Sequence, residues 1–92
     1  MSVNASGRPH DGTVTLAGTN VQILADNGNR QFLMVQNNSA AVMGVNVIGG
    51  TAVINGTGTI TLNPGTGVFF DSYVPLGAIS AIGTGVVSIV EG

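Results

Sequence analysis

The chain of 92 residues has no cysteine, no lysine and no tryptophan, and it contains a single histidine. Without cysteine, no disulfide framework can hold a small fold together. Two arginines against four acidic residues cannot supply the basic surface that nucleic acids require, so we expect no nucleic-acid partner. No apolar run approaches the roughly 18 residues of a membrane-spanning helix. The polar start also lacks the apolar stretch of a secretion signal, so we expect no membrane partner and no export by this sequence.

Little in the chain points to catalysis. His10 is the one side chain of the usual general-base type, and it lies in a segment without periodicity, where nothing would hold it rigidly against a nucleophile. The four carboxylates are too scattered to form a pair, and we interpret Asp71 as capping a turn or pairing with Arg30. Residues 26–29 faintly resemble the opening of a calcium loop, but the later ligands are missing. We therefore predict no enzyme, no metal and no cofactor.

Hydrophobic residues make up 43% of the chain and charged residues 7%. Such a chain can bury a core, whereas an average soluble domain is about a quarter charged. Its surface must consist mainly of Thr, Ser, Asn, Gln and Gly, which protects an isolated protein poorly against association. This composition favours a surface that is covered by further copies of the chain or by a partner.

Short apolar stretches alternate with Gly, Asn and Pro from residue 13 onward, and no window shows helical recurrence. The pattern predicts eight or nine strands. They cover residues 13–16, 20–25, 31–37, 42–48, 51–54, 59–62, 67–73, 78–82 and 86–91. Their close spacing favours an all-β fold with two antiparallel sheets packed face to face, a jelly-roll-like β-sandwich. We expect one domain over residues 13–92, preceded by an extended N-terminal arm, residues 1–12.

Several local features refine this expectation. Residues 26–29 read Asp-Asn-Gly-Asn and predict a tight hairpin. Residues 31–37 are almost continuously apolar, which favours a central strand with both faces covered. Gly44 indicates a bulge or a close approach. Alternation places Phe69 and Phe70 on opposite faces, so at least one should be in the core, and a sugar-stacking platform at Phe69, Phe70 and Tyr73 is the weaker interpretation.

The remaining function class is assembly. An arm that becomes ordered on binding can wrap a large surface of a partner. Its informative residues are Arg8, Pro9, His10 and Asp11, where arginine suits a directed contact and proline stiffens the chain. We predict these four residues, together with Arg30, as contacts to a partner or to a sister subunit.

Three segments resemble small virion proteins of tailed bacteriophages, namely the head decoration, cement or capsid-stabilising family. They are residues 29–40 (NRQFLMVQNNSA), 75–82 (PLGAISAI) and 86–92 (VVSIVEG), and the similarity spans residues 13–92. The resemblance implies a β-sandwich on the outer capsid surface that clamps neighbouring coat subunits, often as a trimer or dimer.

From this resemblance we expect a virion protein, made in the host cytoplasm, that stabilises the capsid by bridging major capsid subunits. We expect a homo-oligomer, with a trimer favoured over a dimer. Two alternatives stay open: a carbohydrate- or receptor-binding module of a phage fibre, and a neck or connector protein of the virion.

Overall fold

The computed structural model describes residues 10–92, which form eight β-strands and no helix. The strands are β1 (His10–Ala17), β2 (Val21–Leu24), β3 (Leu33–Asn37), β4 (Met43–Asn46), β5 (Thr59–Leu62), β6 (Gly67–Phe70), β7 (Ile79–Ile82) and β8 (Thr84–Glu91). Eight of the nine predicted stretches overlap one of these strands. The all-β prediction is therefore confirmed.

The strands form two antiparallel sheets of four strands each. Sheet 1 has the order β1-β8-β3-β6 and sheet 2 the order β2-β7-β4-β5. β4 and β5 are neighbours in sheet 2, whereas the other six connections within residues 10–92 pass from one sheet to the other. The chain therefore winds repeatedly around the space between the sheets.

One cluster of buried apolar side chains draws on both sheets. Sheet 1 contributes Leu16, Leu33, Val35, Val87 and Ile89, and sheet 2 contributes Ile23, Met43, Val45, Leu62, Ile79 and Ala81. In β3 and β8 the buried side chains alternate with more exposed ones, as the period of two in a strand requires. This arrangement is compatible with a β-sandwich.

The turn at residues 26–29 does not close a hairpin, so that prediction is wrong. β2 belongs to sheet 2 and β3 to sheet 1. The turn chemistry is present, because Asn29 N donates to Asn27 Oδ1 at 3.0 Å and Arg30 N donates to Asn27 O at 3.2 Å. Local chemistry thus bends the chain as expected, but the two flanking strands pair with other strands.

Residues 51–54 were predicted as a strand, and this prediction is also wrong. They belong to the loop between β4 and β5, residues 47–58, which the buried side chain of Asn46 holds in place. The Asn46 amide Nδ2 donates to the carbonyls of Thr51 and Thr57, both at 3.4 Å, and Oδ1 accepts from the N–H groups of Ile48 at 3.0 Å and Gly50 at 2.9 Å. These side-chain contacts to the loop backbone compete with strand pairing.

Gly44 is a site of close approach, one of the two alternatives predicted for it. A Cβ atom at this position would lie 2.8 Å from Thr59 Cγ2 and 3.3 Å from Ile54 Cδ1. The register of β4 with β5 runs without a shift, so β4 contains no bulge here. The absence of a side chain at Gly44 lets Ile54 lie against sheet 2.

β1 begins at His10, three residues before the predicted start of the domain. His10, Asp11 and Gly12 pair with Glu91, Val90 and Ile89 of β8. Residues 10–12 have no apolar alternation, so their sequence does not indicate a strand. They belong to β1 because the backbone of β8 pairs with each of them. Arg8 and Pro9 lie outside the described residues, as does the rest of the predicted arm before His10.

Replacing Leu33 by alanine tests the packing of this core. Leu33 is fully buried in a central strand, so Leu33→Ala should lower the free energy of unfolding by about 2–5 kcal/mol. Leu76 is 45% exposed, and Leu76→Ala is the matched control, with an expected change of roughly 0.5 kcal/mol or less. Urea unfolding of both variants gives the comparison, and equal losses would contradict the core assignment.

Candidate docking surface

The outer face of sheet 1 carries an apolar row that crosses three strands. Met34 in β3 pairs with Val90 of β8 on one side and with Phe69 of β6 on the other. Because Leu33 and Val35 point into the core, Met34 between them points outward, and it is half-buried by its neighbours. The row is therefore a continuous apolar strip on the side of sheet 1 that faces away from sheet 2.

Aromatic side chains extend this strip at one end of sheet 1. The ring centroids of Phe32 and Phe69 lie 6.0 Å apart at an interplanar angle of 42°, within the range of favourable aromatic pairs. Phe69 is 59% exposed. We name Phe32, Met34, Phe69 and Val90 the aromatic face.

Phe70 lies on the opposite side of β6 and packs against the core cluster. This confirms the prediction that Phe69 and Phe70 take opposite faces and that one of them belongs to the core. Tyr73 follows β6 and is 78% exposed, the largest exposure among the large apolar and aromatic side chains of the described residues.

Strands β3 and β6 contribute no charge to the aromatic face, and Asp11 of β1, which pairs with Val90, is the charged residue in its row. No charged residue occurs between Arg30 and Asp71, so neither β3 nor β6 contains one. The next outward-facing row of sheet 1 is polar and neutral, with Gln36 between Ser88 and Gly67. An apolar centre beside a neutral polar rim is the anatomy of a protein–protein interface.

Arg30 is the buried anchor of the loops at the same end of the molecule. Its Nε donates to Glu91 Oε1 at 2.8 Å, and its terminal nitrogens donate to three backbone carbonyls. These carbonyls belong to Pro75 at 2.6 Å, Gly77 at 3.1 Å and Ala25 at 2.9 Å. The fixed fork of donors in a guanidinium group suits several acceptors at once. One side chain thereby joins the end of β8 to two loops that connect the sheets.

These contacts change the interpretation of two residues. Arg30 pairs with Glu91 in β8, whereas the sequence had suggested Asp71 as its ion-pair partner. The Arg30 side chain is 0% exposed and donates to acceptors of its own chain, so the docking surface does not include it. Asp71 is exposed, and its carboxylate accepts from the Ser72 hydroxyl at 3.4 Å.

The other predicted contact residues are His10, Asp11, Arg8 and Pro9. The backbone of His10 and Asp11 lies in β1, at the rows that continue through β8 and β3 to Phe70 and Phe69. The chain thus enters sheet 1 at the end where the aromatic face lies. Arg8 and Pro9 precede the described residues.

Metal-ligand clusters and membrane-spanning helices are two kinds of feature that the described part of the chain could contain. Over residues 10–92, no three side chains of the His, Asp or Glu type are grouped so that they could hold a metal ion. The same residues contain no helix that is long and apolar enough to cross a membrane.

Sequence analysis missed the aromatic face and the role of Glu91. The central position of β3 in sheet 1 was predicted, but its outer face is only half-buried, whereas we expected both faces to be covered. Period-two alternation from Phe32 through Met34 was the available signal for this face. The Glu91 contact had no signal, because 61 residues separate it from Arg30.

Comparison of the chain with protein-family models, with curated proteins and with solved structures found no match.

Substitutions at Arg30, Glu91 and Asp71 test which carboxylate supports the anchor. Arg30→Met leaves a carboxylate and three carbonyls without their donor, so it should lower the free energy of unfolding by about 3–5 kcal/mol. Glu91→Gln keeps an acceptor but removes the charge, and its loss should be about 1–3 kcal/mol. Asp71→Asn is the matched control, for which denaturant unfolding should show no measurable change. A larger loss of unfolding free energy for Asp71→Asn than for Glu91→Gln would instead indicate that Arg30 pairs with Asp71, as the sequence suggested.

Proposed function

We propose that this protein is a virion structural protein of a tailed bacteriophage that decorates the outer surface of the capsid and stabilises it by bridging neighbouring major capsid subunits. The resemblance of residues 13–92 to the decoration and cement family is the starting point. The exposed Phe69 and the apolar row that joins it to Met34 and Val90 support a docking function of the aromatic face. The major capsid protein is the proposed partner, and the protein acts as a homo-oligomer.

We also propose that the fold is a jelly roll. Two four-stranded sheets with the orders β1-β8-β3-β6 and β2-β7-β4-β5 are what results when an antiparallel ribbon of eight strands is rolled up, since β1 pairs with β8, β2 with β7 and β3 with β6. β4 and β5 form the closed end of this ribbon. Jelly rolls are common in viral capsid and lectin domains, so this fold agrees with a virion protein without establishing one.

The observation that carries the proposal is the exposed aromatic face, to which β3 and β6 contribute no charge. Phe69 is 59% exposed at the end of an apolar row. Buried aromatic side chains provide much of the energy of protein interfaces. Asp11 is the charged residue in this row, so electrostatic steering contributes little and the affinity must come mainly from buried area and shape.

The proposed mechanism is mechanical. DNA packing puts a capsid under pressure, and a protein bound across the seams between coat subunits lowers the free energy of the closed shell. Each copy contributes a few kcal/mol from a modest interface, and the many copies together resist opening of the shell.

The N-terminal segment is the proposed strap to the coat protein or a sister subunit. It leads into β1 at His10, whose row in sheet 1 is adjacent to the row of Val90, Met34 and Phe69. His10 and Asp11 thus lie beside the aromatic face in sheet 1, and we propose that they contact the same partner, together with Arg8 and Pro9.

Carbohydrate or receptor binding is the second candidate, and the exposure of Phe69 and Tyr73 is the observation that favours it. Aromatic rings with exposed faces can stack on sugars, and lectins use the same type of sandwich. The face described here includes Met34 and Val90, whose aliphatic surface suits a protein partner better than a hydroxylated sugar.

Binding to purified, expanded phage heads tests the proposed docking face. Phe69→Ala should raise the Kd for heads about 30-fold or more, the effect of losing an interface hot spot of ~2 kcal/mol. Ile48→Ala is the matched control, because Ile48 is 69% exposed in the loop of residues 47–58, outside sheet 1. Co-sedimentation with heads measures both, and wild-type protein that does not bind heads would contradict the function itself.

The same preparations separate the alternatives. A decoration protein should raise the melting temperature of the heads and be present in hundreds of copies per virion, whereas a neck or connector protein would be present in about a dozen. A fibre module should bind glycans or host cells and lose that binding with Phe69→Ala or Tyr73→Ala. Unchanged occupancy of the heads after deletion of residues 2–9 would exclude those residues, including Arg8 and Pro9, as part of the strap.

A further inference from the structure

β1 presents the longest free strand edge in the part of the structure that is described. It pairs with β8 in an unbroken register over eight residues, from His10↔Glu91 to Ala17↔Thr84. Within residues 10–92 no strand pairs with its other edge, because β1 is the first strand of sheet 1. Backbone N–H and C=O groups on such an edge are ready to pair with another strand.

The other three edge strands have features that limit pairing. β2 contains a register shift between Gln22 and Leu24, and β5 and β6 have four residues each. β6 is also followed directly by Asp71. Bulges, short length and charge are the usual means by which proteins prevent pairing at sheet edges.

The last six of the eight residues of β1 have none of these features. Residues 12–17 read Gly-Thr-Val-Thr-Leu-Ala, without charge or proline, and their pairing with β8 is regular. Val14 and Leu16 face the core, whereas Thr13 and Thr15 are exposed on the outer side. Threonine has high β-propensity, and Thr–Thr pairs across strands are favourable.

We propose that β1 pairs antiparallel with β1 of a second copy across a twofold axis. Centred on Val14, this pairing places Thr13 opposite Thr15 of the second copy and Asp11 opposite Ala17, so no like charges meet. A second copy fits this edge better than a charged strand of another protein, because residues 12–17 offer no charge to complement. Twofold pairing is also the commonest form of self-association, since each edge satisfies the other.

The paired sheets would form one continuous sheet of eight strands. A twofold axis perpendicular to this sheet keeps both aromatic faces on the same side. The two β6 strands then lie seven interstrand spacings apart, roughly 34 Å at about 4.8 Å each. Resting on the proposed function, this geometry would let one dimer bind two neighbouring sites of the same shell, with a gain in avidity.

Sedimentation equilibrium of the full chain, without heads, tests the pairing. Because small interfaces are weak, wild-type protein should change from monomer to dimer as its concentration is raised to about 1 mM. Thr13→Lys combined with Thr15→Lys places lysines opposite each other across the axis and should raise the dimer Kd at least about tenfold. The control is Thr51→Lys with Thr57→Lys, which adds the same charge at exposed positions of the loop of residues 47–58 and should leave the Kd unchanged.

A variant with the opposite charge gives the decisive test of the pairing. Thr13→Glu combined with Thr15→Glu should also weaken self-association, and an equimolar mixture with the lysine variant should form a one-to-one heterodimer, measured by native mass spectrometry. Thermal melting of each variant checks that it folds.

Three results would overturn the pairing: a wild-type monomer throughout, a dimer or trimer insensitive to the lysines, or a mixture without heterodimer. A wild-type monomer that dimerises after deletion of residues 2–9 would assign the edge to the N-terminal segment instead. Head binding is measured separately, so the docking function can fail while the dimer persists, or the reverse.

Discussion

The described structure depends on the burial of one guanidinium group. Arg30 binds the carboxylate of Glu91 and three backbone carbonyls, and it thereby connects the end of β8 to two loops that pass between the sheets. A buried charge is tolerated when its donors all find acceptors. The aromatic face lies at this end of sheet 1, where Gly92, the residue after Glu91, exchanges backbone hydrogen bonds with Phe32.

Two buried asparagines perform the same task for other loops. Asn46 holds the loop of residues 47–58 on sheet 2. Asn37 is also buried, and its Nδ2 donates to the carbonyls of Ala41 at 2.7 Å and Leu62 at 3.0 Å. Asn37 joins the end of β3 to the end of β5, 25 residues away, whereas Asn46 contacts the loop that follows its own strand. Polar side chains therefore organise the interior of the loops, while several apolar side chains remain on the surface. This distribution suits a protein whose surface is covered by partners.

The strands could be predicted because each is a short apolar or alternating stretch bounded by turn residues. β1 alternates apolar with polar residues, whereas β3 and β8 are mostly apolar, and the inward side chains of all three form part of the core. The errors at residues 26–29 and 51–54 have a different cause. In both segments the sequence has the predicted local preference, but other contacts determine the pairing. β2 and β3 pair with strands of different sheets. In residues 51–54, the Asn46 side chain forms hydrogen bonds with the loop backbone. The aromatic face was missed because it is assembled from three strands.

The sequence by itself determined the all-β class, the positions of most strands and the lack of charge between Arg30 and Asp71. These properties follow from short-range alternation and from composition, which do not depend on contacts distant in the chain. Only the tertiary structure decided that Arg30 pairs with Glu91, that Phe69 joins Met34 and Val90 in one row, and that β1 lies at an edge. Each of these depends on which strands become neighbours, and that choice is made by the packing of the whole core.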